Sequence, residues 1–153
     1  MNDQLNDNAL RIAVVGHTNT GKTSLLRTLT RDKSFGEVSA MPSTTRHVQS
    51  ARLAIGSEVV VELFDTPGLE EAIALLESLD SQSKLSYRDG PAQIEALLED
   101  PAAQGRFEQE AKVLRQLLRS DAAVYVIDVR DPVLAKYRDE LAILNRCAKP
   151  LLP

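Results

Sequence analysis

Cysteine is nearly missing from this sequence. Cys147 is the only one in 153 residues, so no disulfide can close within the chain, which fits a reducing compartment and a cytoplasmic location. No apolar run approaches the ~18 residues a membrane helix needs, so no segment reads as a span. The opening "MNDQLNDNA" lacks the apolar centre of a signal peptide and reads as a flexible arm over residues 1–9. Basic charge is neither in excess nor clustered. The 18 Lys and Arg face 22 Asp and Glu, a net charge of −4, which leaves composition with no electrostatic footprint for nucleic acid. No internal repeat and no low-complexity tract occurs. What remains is 43% hydrophobic and 26% charged, in a length that suits one globular domain with a buried core.

The apolar pattern is that of a layered α/β protein. "LRIAVVG" is short, β-branched and ends at Gly16, as a buried parallel strand does. "KTSLLRTLT" carries Leu25, Leu26 and Leu29 at helical spacing. An aperiodic loop containing Gly36 and Pro42 leads to "HVQSARLAI" and "EVVVELF", two strand-like runs joined by "GS" as a hairpin. Helical patterns follow in "EEAIALLESL", in "PAQIEALLED" with Pro91 at its start, and in "GRFEQEAKVLRQLLRS". "AAVYVIDV" is a further buried strand, and "DPVLAKYRDELAILNRCA" is an amphipathic helix opened by Asp131 and Pro132. "KPLLP" begins one more strand. The order predicts a three-layer sandwich with a mainly parallel sheet and one antiparallel edge strand.

"GHTNTGKT", Gly16 to Thr23, fits G-x-x-x-x-G-K-[ST] between a strand and a helix. Chance would produce the four fixed positions in roughly one chain of this length in 200, before that context is counted. Glycines let the backbone wrap phosphate oxygens, and the loop N–H groups and helix N-terminus attract their charge. Lys22 reaches the β- and γ-phosphates, and the Thr23 hydroxyl suits a Mg²⁺ that bridges them. His17 occupies an unspecified position of the motif and reads as a variable loop residue.

"DTPG" at Asp65 to Gly68 follows an apolar strand. Asp65 can hold Mg²⁺ through a water, and the Gly68 N–H can sense a γ-phosphate. Alone the tetrapeptide describes an ordinary turn; some 40 residues after a phosphate loop it carries weight. "STTRH", Ser43 to His47, offers hydroxyls that complete a Mg²⁺ shell when the γ-phosphate is present.

Together these three pieces resemble the translation-factor-related GTPases, and within them the bacterial Era/TrmE-like group; "TTRH" with "DTPGL" looks most like Era. The resemblance spans about residues 10–153 and implies a G domain that binds and hydrolyses GTP as a switch, with GDP as the product ligand and Mg²⁺ as cofactor. It assigns the phosphate loop to Gly16, His17, Thr18, Asn19, Thr20, Gly21, Lys22, Thr23 and Ser24, and the catalytic roles to Lys22, Thr45 and Gly68. The Mg²⁺ set is Thr23, Asp65 and Thr45, with Thr44 as the second choice to Thr45. Switch segments are implied at about 33–47 and 66–90. The look-alikes carry a further C-terminal region of unknown function. A nucleotide-dependent homodimer, and RNA or the ribosome as partner, come by analogy only; the effector is not named by the sequence.

Two departures from the group stand out. Neither its N-K-x-D motif nor its S-A-K loop occurs, and "KPLLP" is where the preceding strand would begin. The chain therefore reads as a G domain that stops before its guanine-recognition elements, with an open sheet edge expected. The stretch from 70 to 119 is also longer than the group's minimum.

Many small GTPases place Gln directly after D-x-x-G; here that residue is Leu69, which cannot orient a water, so intrinsic turnover is expected to be slow. In potassium-activated members of the group an Asn stands three residues before the loop lysine and helps hold K⁺ beside the phosphates. Asn19 matches that position, although a turn preference explains an Asn there as well. Glu70, Glu71 and Glu77 are candidate water-orienting acids, and a charged helix face explains them equally. A P-loop ATPase or kinase and a nucleotide sensor with negligible turnover are the competing readings.

Overall fold

The computed structural model describes residues 8–36, 47–82, 89–130, 132 and 135–153. Its frame is a five-stranded sheet in the order β2-β3-β1-β4-β5. β1 (Leu10–Gly16) is central and pairs in parallel with β3 (Glu58–Asp65) and β4 (Ala122–Val126). β2 (Gln49–Ile55) closes one edge antiparallel to β3, and β5 (Leu151–Leu152) lies parallel to β4 at the other. The expected mixed sheet is thus present. The β2–β3 turn is the "GS" pair, with Gly56 at φ 63, a conformation that favours glycine.

Side chains alternate across β1, and both faces are covered. Val14 joins Leu26, Ala51 and Leu63 in a small cluster under α1 (Lys22–Thr30). Ala13 and Val15 face a larger cluster supplied by α2 (Ala72–Gln82), α3 (Gly90–Glu99), α5 (Glu108–Leu118) and α6 (Ala135–Asn145). Two buried faces are why "IAVV" reads as a continuous apolar run rather than an alternating one. In α1, Leu26 is fully buried and Leu25 partly, but Leu29 is half exposed, so the stripe is narrower than its spacing suggests. Cys147 packs in the larger cluster, and desolvation pushes its thiol up to about 12.

Two expectations need correction. "GRFEQEAKVLRQLLRS" is not one helix: Gly105 and Arg106 end a short α4 (Pro101–Arg106), and α5 starts at Glu108. Asp100 caps α4 by accepting from the Ala102 N–H at 3.0 Å, and Phe107 leaves helical geometry (φ −115, ψ 46) with its side chain buried. "AAVYVIDV" is a strand only as far as Val126; Ile127 is 42% and Val129 92% exposed. The described part of the last helix starts at Ala135; Asp131 lies outside the described residues, and Pro132 precedes the helix. Arm residues 1–7 also lie outside them.

Arg146, just past α6, ties the extra helices to the body. Its guanidinium donates to Asp80 of α2 and to Gln93 of α3, and its backbone lies where a Cβ on Gly90 would stand. The ends of the described stretch between "DTPGL" and β4 are therefore packed parts of the fold.

Candidate nucleotide-binding site

The carboxyl ends of β1, β3 and β4 meet at the point where the chain leaves the central strand for neighbours on either side, the usual crevice of a doubly wound sheet. Gly16 turns out of β1 at φ 148 against β4; a Cβ there would lie 2.5 Å from the Val126 carbonyl oxygen. Asn19 (φ 62) and Gly21 (φ 91) then bend the loop through left-handed geometry into α1. Asn is among the few side chains that tolerate this region, so local conformation already accounts for Asn19, which stands exposed on the loop. No acidic residue occupies the first turn of α1, which keeps that end favourable to an anion. Ser24 is exposed in the same turn.

Lys22 is folded into the loop it closes. Its Nζ donates to the carbonyls of His17 (2.6 Å) and Gly16 (3.3 Å), and Thr20 Oγ1 donates to the same His17 carbonyl at 2.9 Å. Burial pulls the ammonium down to about 8, while the charges of Asp65, Glu140 and Glu70 act in the opposite direction.

Thr23 donates its hydroxyl to Asp65 Oδ2 at 2.6 Å, which joins the end of the phosphate loop to the end of β3. Asp65 is fully buried, and its Oδ1 has no hydrogen-bond partner among the described residues. Burial raises its carboxyl above the usual range, against the opposing effects of the Thr23 bond and Lys22. An orphaned carboxylate oxygen beside a threonine hydroxyl suits a hard cation. Among the described residues no group of three His, Cys, Asp or Glu could hold a metal. One carboxylate and hydroxyls, completed by phosphate and water, are the donors Mg²⁺ takes.

The "DTPG" turn lies directly on the phosphate loop. A Cβ on Gly68 would stand 2.6 Å from Thr18 Cα, so only glycine permits the approach. Leu69 N–H donates to the Gly16 carbonyl at 3.1 Å, and its side chain is fully buried in the larger cluster. Leu69 is thus a core residue that turns away from the loop. Of the three candidate acids, Glu70 alone has a described bond to the loop, accepting from Thr18 Oγ1 at 2.8 Å; Glu71 and Glu77 are exposed.

Two partners of the site lie outside its motifs. Glu110 of α5 is buried and accepts the backbone N–H groups of Glu70 and Glu71 at 3.0 and 2.9 Å, capping the approach to α2 from another helix. Glu110→Ala is expected to lower stability by about 1–3 kcal/mol, because two part-buried donors lose their acceptor. Thermal denaturation checks this, and an unchanged midpoint contradicts the capping role. His17 is not a free loop residue either: its Nδ1 lies 2.6 Å from Oε1 of Glu140 in α6. The available signal was a carboxylate on an apolar helical stripe: Glu140 with Tyr137 and Leu144, and Glu110 with Phe107, Leu114 and Leu117.

Thr44 and Thr45, with the rest of 37–46, lie outside the described residues. The entry to that segment is held by Arg27, which donates to the carbonyls of Phe35 (2.5 Å) and Gly36 (2.6 Å).

A strand, phosphate loop and helix at the switch point, with a Thr–Asp pair beside the loop lysine, define a P-loop nucleotide-binding domain. Residues 11–152 match the family described as 50S ribosome-binding GTPases, and the chain belongs to that family. It is 32% identical over 113 residues to the tRNA modification GTPase MnmE of Prochlorococcus marinus strain MIT 9301, covering 72% of this chain and 23% of MnmE. It is 28% identical over 149 residues to GTPase Der of Herpetosiphon aurantiacus, covering 94% of this chain and 32% of Der. The matched part of the chain thus spans 23% and 32% of the length of these relatives. A crystal structure of Aquifex aeolicus Era bound to GDP·AlF4⁻ superposes with a TM-score of 0.64 at 19% identity, over 94% of this chain and 39% of that one, and bears out the fold. Among the described residues no helix is long and apolar enough to cross a membrane.

Proposed function

We propose that this domain binds GTP and hydrolyses it slowly as a molecular switch, in the cytoplasm, with GDP as the product ligand. The observation that carries the reading is Lys22 seated in the loop with the Thr23–Asp65 pair beside it. The exposed end of α1 and the loop N–H groups take the phosphate oxygens, and Lys22 exchanges its two carbonyl partners for phosphate. Thr23 and Asp65 hold Mg²⁺, with Thr45 as the proposed third ligand. Bound there, Mg²⁺ supplies charge neutralisation on the β- and γ-phosphates. Gly68, already against Thr18, reports the γ-phosphate to α2. Family membership supports guanine as the base.

The test is phosphate release from GTP and from ATP, with and without Mg²⁺. No release from GTP contradicts the hydrolase reading, and equal rates without Mg²⁺ contradict the Thr23–Asp65 assignment; because N-K-x-D is absent, little preference for GTP over ATP is expected of these residues. Asn19 is proposed to hold K⁺ beside the phosphates, supported by its exposed place three residues before Lys22. Hydrolysis is then expected to run about tenfold faster in KCl than in NaCl at equal ionic strength, because the smaller ion fits a shorter ligand cage; charge stabilisation of this kind reaches larger factors elsewhere. Asn19→Ala should abolish the difference, and equal rates in both salts for the wild type remove potassium from the scheme.

A sensor with negligible turnover is the second reading, and the burial of Leu69 favours it. Leu69→Gln separates a missing catalytic amide from a core position. Burial predicts no gain in hydrolysis and a loss of about 2–4 kcal/mol in stability, from lost packing and a desolvated amide. A faster, equally stable variant would place residue 69 at the phosphates after all.

A further inference from the structure

Glu140 is the buried acid that the proposed chemistry leaves unused. It is fully shielded from solvent, and both of its oxygens are taken: Oε1 by His17 Nδ1 at 2.6 Å and Oε2 by the Tyr125 hydroxyl at 2.5 Å. Its buried neighbours along α6 are Tyr137, Ile143 and Leu144, so a leucine would serve packing at this position. Burying a carboxylate is costly unless its partners hold it in place, and replacing such a group by an apolar one is often neutral or stabilising. Its presence therefore calls for a role outside packing.

The geometry points to that role. We propose that Glu140 is a positioning residue for the phosphate loop, acting through His17, and that it sets the loop in its phosphate-ready form before a nucleotide arrives. This rests on the nucleotide-binding reading above. His17 is the node where four pieces meet. Its ring is held by α6, and its carbonyl accepts both Lys22 Nζ and Thr20 Oγ1. Its backbone bridges to Leu69 of the "DTPG" turn, while Tyr125 braces Glu140 from β4. The peptide unit that carries this carbonyl is planar and also carries the Thr18 N–H. Fixing the ring therefore restricts where Lys22 rests and where that donor points. A loop without the brace must be ordered on binding, and ordering costs affinity for GDP and GTP alike.

The experiment titrates the intact protein with a fluorescent GDP analogue and measures single-turnover hydrolysis at saturating GTP. His17→Ala is expected to weaken binding about tenfold, the scale of ordering one side chain and its loop, with a smaller loss in the rate of the saturated protein. His17→Asn should restore most of the affinity, because its amide nitrogen can stand where Nδ1 stood. Glu140→Gln keeps the shape of the side chain, so it tests the site even where Glu140→Leu fails to fold. In the His17→Ala background it should weaken binding no further, since the two residues act as one unit. Wild-type affinity in His17→Ala, failure of His17→Asn to rescue, or additive losses in the double variant overturn the proposal. If the wild type itself fails to bind the analogue, the nucleotide reading falls and this inference with it; if the wild type binds and His17→Ala binds equally, only this inference falls.

Discussion

Lys22→Ala is expected to reduce affinity for guanine nucleotide by about 10- to 150-fold, the equivalent of ~1.5–3 kcal/mol for charge-assisted hydrogen bonds to phosphate, with the circular dichroism spectrum unchanged. The fold should survive because burial in the loop holds the ammonium against its own solvation. Burial brings it down to about 8 from 10.5. Between these two values the unfolded chain binds more protons than the native one, so this group makes stability rise with pH through that window. Its burial penalty is present in full below about pH 8. Lys22→Met should therefore be at least as stable as wild type at pH 7, with its advantage shrinking as pH climbs from 8 toward 10.5. Calorimetric binding and pH-dependent thermal melts together decide this. Retained affinity removes the phosphate-loop assignment, and an advantage that grows with pH reverses the account of the lysine.

Asp65→Asn is expected to cut Mg²⁺-dependent GTP hydrolysis by about 10²–10³, the scale on which one electrostatic stabiliser counts in a water-poor site. The same change should leave stability equal or higher. The wild-type carboxylate is fully buried with an unpartnered Oδ1, and burial works against its charge. Asparagine can still accept from the Thr23 hydroxyl through its carbonyl oxygen, and it brings no buried charge. A gain or draw in stability alongside a large loss in activity is the signature of a group kept for function. Phosphate release across a Mg²⁺ titration, with melting temperatures in parallel, makes the comparison. Unchanged Mg²⁺ dependence would show that the ion is held elsewhere.

The phosphate loop was legible because its parts are contiguous. Strand, left-handed bends and helix start lie in Leu10–Thr30, and each follows from local residue types. Gly16 and Gly21 adopt backbone geometry that other residues resist, and Lys22 and Thr23 follow in the first helical turn. The hairpin, the parallel strands and the antiparallel edge were legible for the same reason, since short apolar runs and turn residues act over a few positions. The break at Phe107 was not, because a helical pattern runs through the point where Phe107 leaves helical geometry with its side chain buried.

The sequence by itself pointed to a phosphate-binding loop and to its candidate residues, because that loop is built from neighbours in sequence. The tertiary structure alone decided what holds the loop in place. His17 meets Glu140 across 123 positions, and Glu110 reaches Glu70 across 40. Leu69 faces the core although its place after "DTPG" suggests the nucleotide. In each case the outcome depends on which helix packs against which strand end. Burial sets that through the summed apolar faces of the whole domain, and no local spacing carries it.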